Sequence, residues 1–159
     1  MKRIALIIFL IIGIIFNSYS QINKDNQLKQ ASSTAVIWFN NVNSGLYLES
    51  WKDLSLELKG KFSSNDWVLG IGEIMTSFGE FNERIEIFRN FTSNPSEIDP
   101  MLAAFPDGYY AEFQYESNYK HTLNHSERLI LQQDHKRKWR ILEYSYEFVE
   151  GEGYSEEKK

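Results

Sequence analysis

The sequence predicts an α+β fold, with N-terminal helices packed on one face of a curved antiparallel sheet of about four strands. Two observations lead to this prediction. Apolar residues recur at spacings of three and four before Gly79, and after it they alternate with a period of two in segments joined by short turns. Helices followed by a run of strands are typical of the α+β class, because helices can cover one face of an antiparallel sheet.

Three helices are predicted before Gly79. The first is broken by the polar stretch at 41–45, the second is expected to end at Gly60, and the third begins with a Ser63 cap that has Asp66 three residues later. The three apolar stripes are, in order, Leu28, Ala31, Ala35, Trp38 and Val42; Tyr47, Trp51, Leu54 and Leu58; and Trp67, Ile71, Ile74 or Met75, and Phe78.

Four strands are predicted after Gly79. In the first, Ile85, Ile87 and Phe91 are expected on one face, which Arg89 interrupts. Residues 93–108 hold all three prolines and are predicted to cross the surface, and three further strands then form an antiparallel meander.

The second strand lies in the aromatic run FPDGYYAEFQYESNY at 105–119, where the turn at 106–108 starts the strand. Alternation divides this strand into two faces. The inward set is Tyr109, Ala111, Phe113, Tyr115 and Tyr119, and the outward set is Tyr110, Glu112, Gln114, Glu116 and Asn118. The outward set is mostly polar, and its carboxylates are expected in water, so Tyr110 is the one aromatic residue there that needs a separate explanation.

The first 20 residues are predicted to be a secretory signal peptide. Lys2 and Arg3 precede an apolar run at 4–16, and small residues at 18 and 20 fit a cleavage site. The apolar run of about 13 residues is short against the roughly 20 that a spanning helix needs. An uncleaved anchor is the alternative. We therefore expect a secreted or periplasmic protein with a single domain over 21–148 and a disordered charged tail over 149–159.

The charge balance argues against nucleic acid as a partner, and the absence of cysteine removes two kinds of covalent modification. Without residues 1–20 the chain keeps 15 basic and 22 acidic residues, a formal charge of −7. This balance argues against nucleic acid as a partner, since phosphate contacts require clustered Lys and Arg. The absence of Cys removes disulfides and lipid attachment through cysteine. No cofactor is indicated, and no membrane contact is expected after the signal is removed.

Several short motifs follow one another in the order and spacing of a known family. They are Trp38, Tyr47, Trp51, Phe62, Trp67, Gly79, Arg84, Pro106-Asp107-Gly108 with Tyr110, Glu127, Leu131, Trp139 and Tyr144. Over residues 30–148 the chain resembles the bacterial domain-of-unknown-function family numbered four thousand and nineteen.

The resemblance implies a small exported protein with a cone-shaped fold similar to cystatin or nuclear transport factor two, and it implies no particular activity. The chain departs from the family pattern at Asn43, where members often have Asp, and at Glu143, where Gly is frequent. Any chemistry that the Asp carries in relatives is therefore in doubt for this chain.

Metal and nucleophile chemistry are not indicated. His121 and His125 are four residues apart, but along a strand that spacing separates them by about 13 Å. We expect these histidines and His135 to be solvated at strand ends. No Cys is present, and no Ser lies in a recognisable nucleophile elbow.

Glu127 is the acid that the pattern singles out. Alternation places it on the same face as Leu123, Leu129 and Leu131, where a carboxylate must find a partner or have its pKa raised. Arg84 at the start of the first strand is the candidate partner. The pair is either a structural ion pair or a ligand-orienting or acid–base group in a pocket.

The aromatic residues allow two interpretations of the interior. Trp38, Trp51, Tyr109 and Phe113 either line a ligand cavity between helices and sheet, with Glu127, or fill that space completely. The leading functional hypothesis is an exported, non-enzymatic domain that binds a small molecule or a partner protein. The alternatives are a pocket enzyme that uses Glu127 and Arg84, and a structural homodimer joined through Tyr110 on the outer sheet face.

Overall fold

The computed structural model describes residues 24–150, so the predicted signal peptide and the last nine residues of the predicted tail lie outside the described residues. Four helices come first: α1 over residues 24–43, α2 over Tyr47–Lys52, α3 over Leu56–Lys61 and α4 over Ser64–Phe78. Four strands follow: β1 over Phe81–Thr92, β2 over Tyr110–Tyr119, β3 over Thr122–Gln133 and β4 over Trp139–Glu150. Strand β4 extends two residues beyond the predicted domain end at 148.

The strands form one antiparallel sheet in the order β1-β2-β3-β4, which confirms the α+β class. The main core lies between the helices and one face of this sheet. It contains Trp38 and Phe39 from α1, Ile71 and Phe78 from α4, and Phe113 from β2 among its buried members. The face that carries these side chains is the inner face, and the opposite face is the outer face.

The predicted second helix is divided in two by a short pairing with the sheet. The amide of Ser55 donates to the carbonyl of Ile141 at 2.8 Å, and the amide of Ile141 donates to the carbonyl of Asp53 at 2.9 Å. Leu54 is buried at this bridge, and the Ser55 hydroxyl then caps α3. Gly60 consequently lies inside α3, and the prediction that it ends a helix was wrong.

The predicted start and end of α4 are confirmed. The Ser63 hydroxyl accepts a hydrogen bond from the amide of Asp66, and Gly79 ends the helix with a φ of 81°. A Cβ atom on Gly79 would lie 2.7 Å from Nδ1 of His121. Both the positive φ and the close imidazole favour glycine at this position.

Replacing Gly79 by Ala is expected to lower the free energy of unfolding by about 1–3 kcal/mol, because a side chain there adds both backbone strain and a steric clash. Urea unfolding of the chain without residues 1–20 measures this loss. Gly60→Ala is the matched control, since a Cβ atom at Gly60 meets nothing within 4 Å. In helical α3 this control should be neutral or gain up to roughly 1 kcal/mol. Equal stability of the two variants would contradict the prediction.

Strand β1 does not keep its apolar residues on one face. Ile85 and Ile87 are 54% and 53% exposed, whereas Arg84 is turned toward the core. A register shift between Glu86 and Phe88 then changes the alternation along the strand, and Phe91 packs against the core. The prediction that Ile85, Ile87 and Phe91 share one face was therefore wrong, because Arg84 occupies the inner face to pair with a buried carboxylate and the register then shifts before Phe91.

A second, smaller core lies on the outer face. The proline-containing segment after β1 forms two 3-10 helices, Pro95–Glu97 and Pro100–Ala104, that fold back over the sheet. Leu102 from this segment covers Tyr110, Ile130 and Leu142. The segment thus buries Tyr110, whose hydroxyl donates to the carbonyl of Pro106 at 2.7 Å.

Three further side chains, two in β2 and β3 and one just before β2, differ from the predictions. Glu112 is buried, not in water, because Arg128 donates to it from the neighbouring strand at 2.7 Å. Tyr109 precedes β2 and is 36% exposed rather than inward. Leu123 is exposed because the β3–β4 register shifts between Leu123 and Ser126.

Candidate functional site

A buried polar cluster surrounds Glu127 in the middle of the inner face. Both oxygens of its carboxylate accept hydrogen bonds from Arg84: Nε donates to Oε2 at 2.7 Å and Nη2 to Oε1 at 3.1 Å. Oε1 also accepts from the hydroxyls of Tyr144 at 2.6 Å and Tyr119 at 3.1 Å, and Oε2 accepts from the Ser117 hydroxyl. The predicted Arg84–Glu127 ion pair is thus present, with three additional donors that lie on β2 and β4.

The cluster keeps Glu127 ionised and its tyrosine neighbours protonated. Burial would raise the pKa of Glu127, but the Arg84 charge and the hydrogen bonds from Arg84, Ser117 and Tyr144 outweigh it and lower the pKa below its usual value. Burial and the Glu127 charge raise the pKa of Tyr144 well above its usual value. The tyrosine hydroxyls therefore act as donors to a permanent carboxylate.

Arg84 is fixed on its other sides by aromatic rings. Its guanidinium lies 3.6 Å from the centroid of Phe39 and 4.9 Å from that of Phe81. The Arg84 side chain is 9% exposed and that of Glu127 is 0% exposed. Five donors fill the acceptor positions of one carboxylate, so this cluster holds β1, β2, β3 and β4 to α1 rather than offering a free acid or base.

An apolar cleft of about 230 Å³ opens between the helices and strand β4, next to this cluster. Its walls come from α4, from α3 and the residue after it, and from the inner side of β4. The residues that line it are Leu58, Phe62, Asp66, Trp67, Gly70, Ile71, Ile74, Glu143, Tyr144 and Tyr146.

Hydrogen bonds to neighbouring elements hold the walls of the cleft in place. The Trp67 indole donates to the Ser50 hydroxyl at 2.9 Å, and the Trp51 indole donates to the carbonyl of Phe62 at 3.1 Å. The hydroxyl of Tyr144 donates to Glu127, so the β4 wall of the cleft is anchored to the polar cluster.

The predicted ligand-binding residues lie behind or away from this cleft. Trp38 is 0% exposed and contacts Trp67 and Tyr144 from behind, with ring centroids 6.3 Å and 5.1 Å away. Trp51 supports the wall through Phe62. Phe113 is 0% exposed in the main core, and Tyr109 packs on Phe91 with centroids 5.2 Å apart. The structure therefore does not bring these four residues together around one cavity.

The sequence by itself does not reveal the β4 wall of the cleft or its open side. Alternation in WRILEYSYEFV does place Tyr144 and Tyr146 on one face, but nothing local shows that this face meets α4. Gly70 lies on the cleft side of α4, and a Cβ atom there would meet nothing within 4 Å. This glycine keeps the cleft open.

A second cleft, of about 290 Å³, passes over the sheet at Gln114, Ser126, Arg128 and Ser145. Glu127 also borders it, but the Glu127 side chain is fully covered. The carboxylate therefore cannot be reached from this cleft in the observed arrangement.

His125 is buried, so the expectation that it is a solvated strand-end residue was wrong. It lies among Phe78, Tyr119 and Phe148, and its Nδ1 is 3.0 Å from the Thr122 hydroxyl. His135 is exposed. Within residues 24–150, no group of three or more His, Cys, Asp or Glu side chains is placed to hold a metal ion.

The stability of the protein is expected to fall as the pH drops below about 6.5, the usual pKa of histidine. Burial lowers the pKa of His125 in spite of the Glu127 charge, while the Arg84 charge lowers it further. The unfolded chain therefore takes up a proton at His125 at a higher pH than the folded chain does. The stability that the neutral, buried imidazole contributes is fully present above pH 6.5. It is lost as the pH falls from the pKa of His125 in the unfolded chain to its lower pKa in the folded chain. Glu127 adds a second loss below its usual pKa of 4.5.

Urea unfolding at a series of pH values from 7.5 to 4 measures this dependence. His125→Gln should flatten the curve below pH 6.5, whereas His135→Gln, at an exposed position, should leave it unchanged. A wild-type curve that stays flat over this range would refute the assignment.

In the part of the chain that the structure describes, no helix has the length and apolar character needed to cross a membrane.

Comparison with known proteins identifies a family. No curated protein and no solved structure matches the chain, so the likeness to cystatin or nuclear transport factor two stays a prediction. A family model does match, over residues 34–144, which is more than two thirds of the chain. The chain therefore belongs to the family described as "Protein of unknown function (DUF4019)".

Proposed function

We propose that this protein is an exported, non-enzymatic domain that binds a small molecule in the cleft between α4 and β4. The observation that carries the proposal is the cleft itself: aromatic rings of Trp67, Tyr144 and Tyr146 form an accessible apolar surface that the fold does not fill. Its volume of about 230 Å³ lies just under the roughly 300–1,000 Å³ of ordinary ligand pockets, which favours a small ligand or one apolar group of a larger one.

The cleft is preformed, which supports binding. Two indole hydrogen bonds and the Tyr144–Glu127 hydrogen bond fix its walls without a ligand. A ligand therefore pays little ordering entropy for the protein side of the complex.

Filling the cleft tests the proposal. Gly70→Leu places a side chain in the cleft and should abolish binding of 3,3-dimethyl-1-butanol, a small neutral apolar probe, measured by saturation-transfer NMR on the mature chain. Gly60→Leu is the matched control, because both glycines are helical and have open space around Cβ but Gly60 does not line the cleft. Both variants should stay folded.

Native mass spectrometry of protein purified from its own compartment should also show a retained ligand in the Gly60→Leu variant and none in Gly70→Leu. The same spectra give the mature mass, which should correspond to a chain that starts at Gln21. If Gly70→Leu binds the neutral probe as well as the wild-type protein does, or if the wild-type protein binds no small probe at all, the cleft is not a ligand site.

Acid–base catalysis by Glu127 with Arg84 is the less favoured alternative. A general base must come within hydrogen-bond reach of a substrate proton. The Glu127 carboxylate is saturated by five donors and covered on all sides, and one of these donors, Tyr144, also lines the cleft. Glu127 and Arg84 therefore serve as positioning residues for the cleft in our proposal.

Self-association through the outer sheet face is a second candidate function. Tyr110 is not available for it, because the chain's own 3-10 segment covers that ring. Edge strand β1 instead exposes Ile85 and Ile87 on this face. Light scattering of the mature protein should then report a dimer that Ile87→Lys converts to a monomer. A wild-type protein that is monomeric at high concentration would rule this function out.

A further inference from the structure

The chemistry of the cleft walls suggests which class of molecule binds there. We propose that the ligand of this cleft is a small organic cation, an ammonium group carrying apolar substituents. This inference rests on the ligand site proposed above. The observations behind this inference are the aromatic composition of the cleft and the sign of the charges at its edge.

Aromatic rings approach the cleft from both of its walls. Phe62 and Trp67 stand on the helical side, with ring centroids 6.0 Å apart in an edge-to-face arrangement. Tyr144 and Tyr146 stand on the strand side, with centroids 5.7 Å apart. Ring faces attract a cation through their quadrupole, and aromatic cages are the recurring protein solution for alkylated ammonium groups.

The charges at the edge of the cleft are negative. Asp66 and Glu143 line it, and none of the described residues that line it is Lys, Arg or His. The Asp66 carboxylate accepts a hydrogen bond from the neutral Ser63 hydroxyl at 2.6 Å, and this contact brings no opposing charge to it. A carboxylate beside an aromatic surface favours a cationic ligand over a neutral or anionic one.

Arg128 does not neutralise this edge. Its Nη1 lies 3.4 Å from Oε1 of Glu143, but the same guanidinium also pairs with Glu112 at 2.7 Å and with Asp99 at 3.4 Å. One guanidinium is thus shared by three carboxylates, and the formal charge of these four side chains together is −2.

Lys59, a basic side chain on α3, is also engaged elsewhere. The Lys59 ammonium lies 4.9 Å from the centroid of Trp51 and donates to the carbonyl of Lys52 at 2.7 Å. The Lys59 ammonium thus already forms a cation–π contact beside the cleft. Its ring is that of Trp51, which supports the wall from behind and does not line the cleft. The rings inside the cleft have no such partner among the described residues that line it.

A pair of isosteric probes tests the charge preference. Choline and 3,3-dimethyl-1-butanol have the same shape, and only choline carries a charge. We expect the mature protein to bind choline roughly 3- to 30-fold more tightly than the neutral probe in saturation-transfer NMR titrations at low salt. The preference should shrink as salt is added, because Asp66 is exposed to solvent.

Charge-removing variants localise the effect. Asp66→Asn should reduce choline affinity several-fold and leave the affinity for 3,3-dimethyl-1-butanol unchanged. Glu73→Gln is the matched control: it removes one exposed carboxylate from the same helix outside the cleft and should change neither affinity. Tyr146→Leu keeps the cleft apolar and should lower the preference for choline.

The outcomes separate this inference from the proposed function. Binding of the neutral probe with equal or higher affinity than choline overturns the cation assignment and leaves the cleft as an apolar site. Failure of the protein to bind either probe overturns both. If choline binds but Gly70→Leu and Asp66→Asn have no effect, the cation binds elsewhere and the assignment to this cleft is wrong.

Discussion

Replacing Arg84 by Met is expected to lower the free energy of unfolding by about 3–5 kcal/mol, the usual cost of removing one partner of a buried ion pair. The Glu127 carboxylate would remain fully covered, with only the hydroxyls of Ser117, Tyr119 and Tyr144 as donors. Chemical denaturation of the chain without residues 1–20 at pH 7 measures the loss. This is among the largest effects expected of a single substitution in the molecule.

Two controls separate the ion pair from simple loss of a side chain. Arg89→Met removes an arginine from the same strand whose partner Glu86 lies near the surface, and it should cost less than about 1 kcal/mol. The double variant Arg84→Met with Glu127→Gln should recover a substantial part of the loss, because no buried charge is left unpaired.

The pH dependence provides a further check. Without Arg84 the pKa of Glu127 in the folded protein rises, because burial is then opposed only by hydroxyl donors. The single variant should therefore lose less stability at pH 5 than at pH 7 relative to the wild type. A loss below about 1 kcal/mol at pH 7 would mean that the pair does not hold the fold.

Replacing Trp38 by Ala is the second large effect we expect, with a loss of about 3–5 kcal/mol. This residue was a candidate ligand contact, but its ring is fully buried against Phe39, Trp67 and Tyr144. Truncation removes the support behind both walls of the cleft. Thermal and urea unfolding should show the loss, and the change in probe binding should follow from a displaced Trp67.

Trp51→Ala is the comparison variant. Trp51 is half-buried and acts on the cleft only through its hydrogen bond to Phe62, so its loss should cost clearly less stability than that of Trp38. Trp38→Phe keeps most of the ring volume and should be intermediate. If Trp38→Ala weakened ligand binding with no loss of stability, Trp38 would be a direct contact, contrary to its position here.

Much of the fold follows from local sequence signals. The Ser63 cap, the glycine at position 79 and the spacing between them define α4, because capping and the positive φ are properties of a few neighbouring residues. The alternation of Phe113, Tyr115 and Tyr119 correctly places their side chains inward. This too is a local property, because successive side chains along one strand point to opposite faces of the sheet. The Arg84–Glu127 pair was predictable because a charge on an apolar face requires a partner.

Several positions that local patterns placed wrongly depend on distant contacts. Ile85 and Ile87 look like core residues, but Arg84 occupies the inner face of β1 because Glu127, on β3, needs its charge. Tyr110 and Glu112 look exposed, but a segment before β2 and an arginine on β3 cover them.

By itself, the sequence determined the class of the fold, the order of its elements and the residue pair at its centre, since period, caps and an uncompensated charge are readable one segment at a time. Tertiary structure alone decided where the accessible cleft lies. Its walls, Trp67 on α4 and Tyr144 on β4, are 77 positions apart in the chain, and only the packing of that helix on that strand leaves a gap between them. A gap is a property of two surfaces that fit imperfectly, so no single stretch of the chain records it.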